Sequence, residues 1–209
     1  MKVAILGVGS TAMIAADIIT ESHNFSLAGF VGTEEEKEKL SRSKIYGEIP
    51  FLGDHSILNH LGKVSINKFI AAIGDNNIRE KRYYQAIQSG MSAISAISRN
   101  AFIHQSVTIR DGVIVSPGSV ICHGAEIGEN CILDPSVVID VDTTIGPNCY
   151  IYPSVTICVG CTIEKNVTLG AGCIIEPNRF IGKNQSVAAG TVVREDLEGL
   201  YKETVEDYE

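Results

Sequence analysis

Taking every sixth residue from Ile103 lands on a branched aliphatic each time, and this predicts a left-handed parallel β-helix of hexapeptide repeats over residues 103–193. Alternating strand and helix patterns over residues 1–98 predict an α/β, Rossmann-like domain in front of it. The periodic run is Ile103, Ile109, Val115, Ile121, Ile127, Leu133, Ile139, Ile145, Ile151, Ile157, Ile163, Leu169, Ile175, Ile181, Val187 and Val193, without an insertion. A period of six drifts around an α-helix, so these side chains share no helical face.

A second track sits four residues after each aliphatic: Val107, Val113, Ser119, Ala125, Cys131, Val137, Thr143, Cys149, Val155, Cys161, Val167 and Cys173. These are small or β-branched. The two tracks together describe short strands meeting at tight corners, three to a coil of 18 residues, with the large aliphatic inside and the small residue in the corner. Gly128, Gly146, Gly170 and Gly182 follow their aliphatics, where little bulk fits. Arg179 and Gln185 break the small-residue track, so the last coil should change character. The helix leaves open strand edges at its ends, which the tail (194–209) and the N-terminal domain are expected to cover.

In the N-terminal domain, residues 2–6 read as a buried strand running into the turn Gly7-Val-Gly-Ser-Thr11 and an apolar helical pattern from Ala12 to Ile19. A second strand is expected at Leu27–Val31, a third at Phe69–Ile73 ending in Gly74-Asp-Asn-Asn77, and a helix over 79–89. The Gly7, Gly9, Ser10 and Thr11 turn offers backbone N–H groups at a helix start, suited to a phosphate. The turn equally reads as a tight strand-to-helix connection, because Ala12 replaces the third glycine of a dinucleotide fingerprint. No ribose-reading acid follows the second strand, and Glu34–Glu36 read as a solvated helix start. NAD is therefore disfavoured. A nucleotide or nucleotide-sugar fits better, with phosphates at Gly7–Thr11 and the base or sugar near Gly74–Asn77.

Composition narrows the classes. A net charge of −8 argues against nucleic acid, and residues 1–98 balance ten acids with ten bases while the last sixteen residues carry seven acids and two bases. No apolar run reaches a membrane span and no leader pattern opens the chain, which points to the cytoplasm. Four of the six cysteines lie on the small-residue track, so buried thiols are expected rather than disulfides or a metal site.

The domain order, the segment Ala72-Ile-Gly-Asp-Asn-Asn-Ile-Arg79 and the Ile103-His104 start of the helix resemble the bacterial sugar O-/N-acyltransferases of the sialic acid O-acetyltransferase (NeuD) type, within the hexapeptide-repeat acyltransferases. That resemblance implies acetyl-CoA as cosubstrate, no metal, a homotrimer, and a nucleotide-linked or sialic-acid-like sugar acceptor in surface-glycan synthesis. It implies acceptor contacts at Gly7, Gly9, Ser10, Thr11, Gly74, Asn76, Asn77 and Arg79, and donor contacts at Tyr150, Gly170, Ala171 and Ala189 in a groove between neighbouring helices.

The chemistry asks for a base that takes a proton as an amine or hydroxyl attacks a thioester. The family's histidine segment matches Ile139-Asp-Val-Asp-Thr-Thr-Ile-Gly146, which puts Val141 in the histidine's place. A further family histidine matches Tyr150, and the usual closing Gly-x-Pro-Ala is Leu200-Tyr-Lys-Glu. His123 stands 18 residues before Val141, one coil away at the same corner, and Asp140 and Asp142 flank the vacancy. These three are the catalytic candidates. His123 also reads as an exposed corner histidine, Asp140 and Asp142 as solvated turn carboxylates, and His104 as structural at the start of the first coil, while His23, His55 and His60 belong to the other domain. Two readings follow: an acyl-CoA-dependent sugar acyltransferase, and a non-catalytic relative that binds a nucleotide-sugar or a partner. A purely structural β-helix leaves the first domain unexplained.

Overall fold

The structure is a computed structural model that describes residues 1–22, 24–41, 48–61, 63 and 65–198. His23, most of the acidic tail and the Leu200–Glu203 segment lie outside the described residues.

The first domain has β1 (Lys2–Leu6), α1 (Ser10–Glu21), β2 (Ser26–Val31), α2 (Glu34–Ser41), β3 (Phe51–Gly53), α3 (Leu58–Leu61), β4 (Lys68–Ala71), α4 (Asn76–Gln88) and β5 (Ser92–Ala93). The sheet is parallel throughout, in the order β3-β2-β1-β4-β5. Val3–Leu6 are fully buried, as befits a central strand with both faces covered. The three strands and two helices expected from the sequence are present; β3 and β5 are additions, too short to show a period. Thr33 and Glu36 form a reciprocal cap, each side chain accepting from the other's N–H at 3.2 and 2.7 Å, so Glu34–Glu36 do begin a solvated helix.

Seventeen two-residue strands, from Ala96–Ile97 to Val192–Val193, build the β-helix as three flat parallel sheets. Each pairs in register with the strand 18 residues on, so Ile121 lies beneath Ile139 and Ile139 beneath Ile157. The inward aliphatics and corner residues from Val113 to Val193 form one continuous core. The helix begins earlier than expected: Ala96–Ile97 pairs with Ile114–Val115, and Ile97 stands one step of six before Ile103.

Two further periodicities fix the corners. Every sixth residue from Gly112 to Gly190 has a left-handed backbone, with φ between 54° and 77°, and is Gly, Asn, Ser or Asp. Ser119, Cys131, Thr143, Cys149 and Cys161 donate to the corner carbonyls of Asp134, Gly146, Cys158, Glu164 and Cys161's own partner Glu176, each fifteen residues on. All six cysteines are free thiols, and Cys131, Cys149 and Cys161 act as small donors. Gly128, Gly146 and Gly170 are obligatory, because a β-carbon there would come within 2.5–2.7 Å of the next coil's backbone. At the far end Arg179 pairs with Asp196, and Leu197 bridges to Ile181 after sixteen residues instead of eighteen, which closes the coil.

The N-terminal domain covers a flank of the helix and not its first end. Ile114, Ile132 and Tyr150, stacked on one outer face, share a core with Ala12, Ala15 and Ala16 of α1. Arg79 pins the seam. Its guanidinium is fully buried without a carboxylate and donates to the carbonyls of Asn130 (3.1 Å), Ile73 (2.8 Å) and Asn148 (3.0 Å) and to Asn76 Oδ1 (2.6 Å). Beside it runs a ladder of carboxamides, Asn130 to Asn148 to Asn166 to Asn184, at 2.8–2.9 Å.

Replacing Arg79 with Met leaves several buried carbonyls unpaired, at about 1–3 kcal/mol each. Arg79→Met should lose about 3–5 kcal/mol and lower the melting temperature by roughly 10 °C, measured by calorimetry.

Candidate active site

The candidate acceptor segments lie at the carboxyl ends of neighbouring β1 and β4, the switch point of strand order at which open parallel sheets commonly bind ligands. Gly7 has φ 109°, and a β-carbon there would meet the Ala72 carbonyl at 2.6 Å, so only glycine joins the strands this closely. Gly9 precedes α1, whose first turn has no side-chain cap. Ser10 is exposed, while Thr11 is turned inward with its Oγ1 3.3 Å from the Tyr150 hydroxyl.

Gly74 and Asn77 are exposed, and Asp75 caps α4 through the Ile78 N–H at 2.8 Å. Asn76 reaches across the seam to Thr168 Oγ1 at 3.0 Å. Together Gly74–Asn77 and the helix residues Tyr152, Asn166, Thr168 and Ser186 line a cleft of about 410 Å³. Arg79 does not line it. As an acceptor contact it is corrected to a seam residue, its N–H groups held by carbonyls and by Asn76.

The donor candidates divide. Ala171 and Ala189 are exposed. Gly170 is set by coil stacking, with Ala189 N 2.5 Å from its would-be β-carbon. Tyr150 is 5% exposed and stacks on Tyr152 with centroids 4.1 Å apart, so the neighbour presents the open aromatic face. Burial, foremost, pushes the Tyr150 hydroxyl up to about 12.

His123, Asp140 and Asp142 lie at a different corner, the one opposite the flank that carries the first domain. His123 is exposed, with its ring 4.9 Å from His104, and both imidazoles use Ser106. The Ser106 N–H donates to His104 Nδ1 at 3.2 Å, and Ser106 Oγ lies 2.8 Å from the same nitrogen. His123 Nδ1, 3.1 Å from Ser106 Oγ, is left as the donor, which assigns its bare nitrogen to Nε2.

Among the described residues neither flanking carboxylate bonds to His123. Asp140 Oδ1 accepts from the Val141 N–H at 2.8 Å. Asp142, left-handed at φ 54°, lays its carboxylate over Gly124. Asp140 stands between Cys122 and Cys158, one coil to either side. Burial first, and the Asp140 charge second, push both thiols up.

Sequence reading missed Asp134, Tyr152 and Asn148. Asp134 is 6% exposed, and burial holds its carboxyl above the usual range against a hydrogen bond from Tyr150. Among the described residues its Oδ1 has no hydrogen-bond partner, nor has Ser116 Oγ one coil below. Corner positions after an aliphatic are often acidic here, as at Asp140, Glu164 and Glu176, so only the packing of the first domain distinguishes Asp134.

Among the described residues no three His, Cys, Asp or Glu side chains are grouped to hold a metal, and no helix is long and apolar enough to cross a membrane.

Residues 2–86 match the PglD N-terminal domain family, and residues 106–140 and 142–177 match the bacterial transferase hexapeptide (six repeats) family. No curated protein matches the sequence. Among solved structures, a histidine-to-asparagine variant of perosamine N-acetyltransferase from Caulobacter crescentus, in complex with CoA and GDP-perosamine, aligns with a TM-score of 0.86 and 28% identity over 95% of this chain and 91% of that one. The acetyltransferase domain of PglB from Neisseria gonorrhoeae, with acetyl coenzyme A, has the same fold at a TM-score of 0.83 and 20% identity, over 94% and 92% of the two chains. WeeI from Acinetobacter baumannii shares it at 0.79 and 19%, over 95% and 94%. Fold, domain order, the two family matches and the perosamine N-acetyltransferase structure support the hexapeptide-repeat acyltransferase superfamily for this chain. Its N-terminal half is PglD-like, and nothing in the matches singles out the sialic acid O-acetyltransferase branch.

Removing the Asp140 charge should ease ionisation of both neighbouring thiols. Asp140→Asn should speed iodoacetamide labelling of Cys122 and Cys158 severalfold at pH 8, read by peptide mass spectrometry, and leave buried Cys131 and Cys149 unlabelled.

Proposed function

We propose that the protein moves an acyl group, acetyl in the simplest case, from acyl-CoA to an amino or hydroxyl group of a nucleotide-linked or sialic-acid-like sugar, in cytoplasmic steps of bacterial surface-glycan synthesis. The observation that carries this is the cleft that Gly74–Asn77 share with Tyr152, Asn166, Thr168 and Ser186, at a seam where Arg79 binds the carbonyls of a hexapeptide β-helix. The uncapped first turn of α1 suits a diphosphate, and the polar cleft beside Asn76 and Tyr152 suits an uncharged sugar or base. A structural neighbour that binds CoA and GDP-perosamine supports the same pairing of ligands.

The reading includes a homotrimer. One outer face of the helix is apolar: Phe102 is 60% and Ile174 40% exposed, with Val120, Val138 and Val192 half-buried between and beyond them. In a single chain the acceptor crevice and the Asp140–Asp142 corner face apart. A site that uses both draws on two copies, with donor contacts at Ala171 and Ala189 near the boundary.

The acceptor must attack the thioester carbonyl, while backbone N–H groups at the corners can stabilise the oxyanion. Val141, half-buried in the family histidine's place, favours the second reading, a nucleotide-sugar binder without turnover. Thiol release from acetyl-CoA should be followed with GDP-perosamine, UDP-linked 4-amino sugars and CMP-sialic acid. Turnover with one of them is expected, and Val141→His should raise kcat about 100-fold. Tight nucleotide-sugar binding with no turnover by either form would establish the binder instead. Light scattering should return three times the 22.5 kDa chain mass.

A further inference from the structure

We propose that Asp134 is the base of this chain's acyl transfer, taking the role left empty at Val141; the inference rests on the transfer reading above. Asp134 belongs to a buried corner column, above Ser116 and below Tyr152, at the seam between α1 and the helix. Among the described residues, its Oδ1 and the Ser116 Oγ are buried with no hydrogen-bond partner. An unpaired buried oxygen of this kind costs free energy unless something donates to it. Evolved sites keep such groups where a ligand supplies the missing donor. A primary amine brings two or three N–H groups, which suits a recess made of acceptors.

Position ties this recess to the acceptor segments. Tyr150 bonds with Asp134 on one side and with Thr11, at 3.3 Å, on the other. The Tyr150 ring lies 3.7 Å from where a β-carbon on Gly74 would stand. Both acceptor segments therefore touch the ring that supports Asp134. The other nearby carboxylates are engaged, Asp75 in capping α4 and Glu80 with Lys165 at 2.7 Å. His123, Asp140 and Asp142 stand at the far corner of the same chain. The titratable and charged groups facing Asp134 are Tyr150, Tyr152 stacked on it, and Arg79, whose guanidinium is 5.8 Å from the Tyr150 centroid. Burial raises the Asp134 carboxyl, which brings a weak base closer to the strength that proton transfer near neutral pH requires.

The step balances as follows. The amine lone pair forms the C–N bond at the thioester carbonyl, and the C–S bond breaks with its electrons on sulfur. One N–H proton moves to an Asp134 oxygen. That proton then passes to the thiolate, CoA departs as the thiol, and the carboxylate is restored.

The test is kcat against pH from 5.5 to 9 for the full chain with acetyl-CoA and GDP-perosamine, or whichever nucleotide-linked amino sugar the wild type turns over best. Wild-type kcat should rise through one ionisation and level off. Asp134→Asn should lose about 100-fold in kcat, lose that rising limb, and keep KM within about threefold. Thermal melts serve as the control for folding. A carboxyl raised in the folded state makes stability fall as pH rises through its folded pKa; asparagine cannot ionise, so Asp134→Asn should melt no lower than wild type at pH 8. An Asp134→Asn enzyme with an unchanged limb and a rate within threefold overturns the proposal. So does one that melts well below wild type at pH 8, which would make Asp134 a structural partner. A silent wild type with every acceptor overturns the transfer reading itself, and this inference with it.

Discussion

Stacking at a fixed interval of eighteen residues governs this molecule. Adjacent coils are about 4.8 Å apart, so any side chain is surrounded by its equivalents above and below. Ile121, Ile139 and Ile157 therefore form a continuous apolar column, and one insertion would displace every column beyond it. The same spacing decides what a corner can hold. A left-handed residue must recur every sixth position, a glycine must follow the aliphatic where a β-carbon would come within 2.5 Å of the next coil, and a small donor must meet the carbonyl fifteen residues ahead. Burial of thiols at Cys131 and Cys149 follows from that geometry, and burial raises the Cys149 thiol well above its usual range.

The first domain depends on the same columns. Its contact is with the face whose outward residues are Ile114, Ile132 and Tyr150, whereas Thr108, Glu126 and Thr144 on another face meet solvent. Arg79 then reads the backbone of two coils, with charge-assisted bonds to carbonyls instead of a salt bridge. This arrangement leaves the crevice at the ends of β1 and β4 facing the polar corner ladder, and encloses Asp134 behind Tyr150.

Most of the architecture was legible because period six leaves no competing explanation for residues 103–193. The first coil was not, since Ile97 is one aliphatic amid Ser98, Arg99 and Asn100 and needs its partner Val115 to be recognised. The Gly7 and Gly74 segments were legible as strand-to-helix turns, and the structure sets them side by side. Arg79 was misread as an acceptor contact because a sequence does not reveal that Asn130 and Asn148 would place carbonyls around it. Asp140 and Asp142 were rightly placed at one corner with His123, but spacing alone could not show that each turns to its own backbone or to Gly124. Asp134 carried no signal, for its burial is created by a domain more than a hundred residues earlier in the chain.

A solenoid made only of nearest-neighbour contacts can fray from either end, one repeat at a time. The seam alters this. Arg79 grips the carbonyls of Asn130 and Asn148, Asn76 reaches Thr168, and Glu80 pairs with Lys165, so a single helix of the first domain spans several successive coils. Those coils are splinted into one cooperative block together with the crevice. Past Thr168 the coils rely on neighbour-to-neighbour contacts and on the closure by Arg179, Asp196 and Leu197, so the braced half of the array is the half that carries Gly74–Asn77.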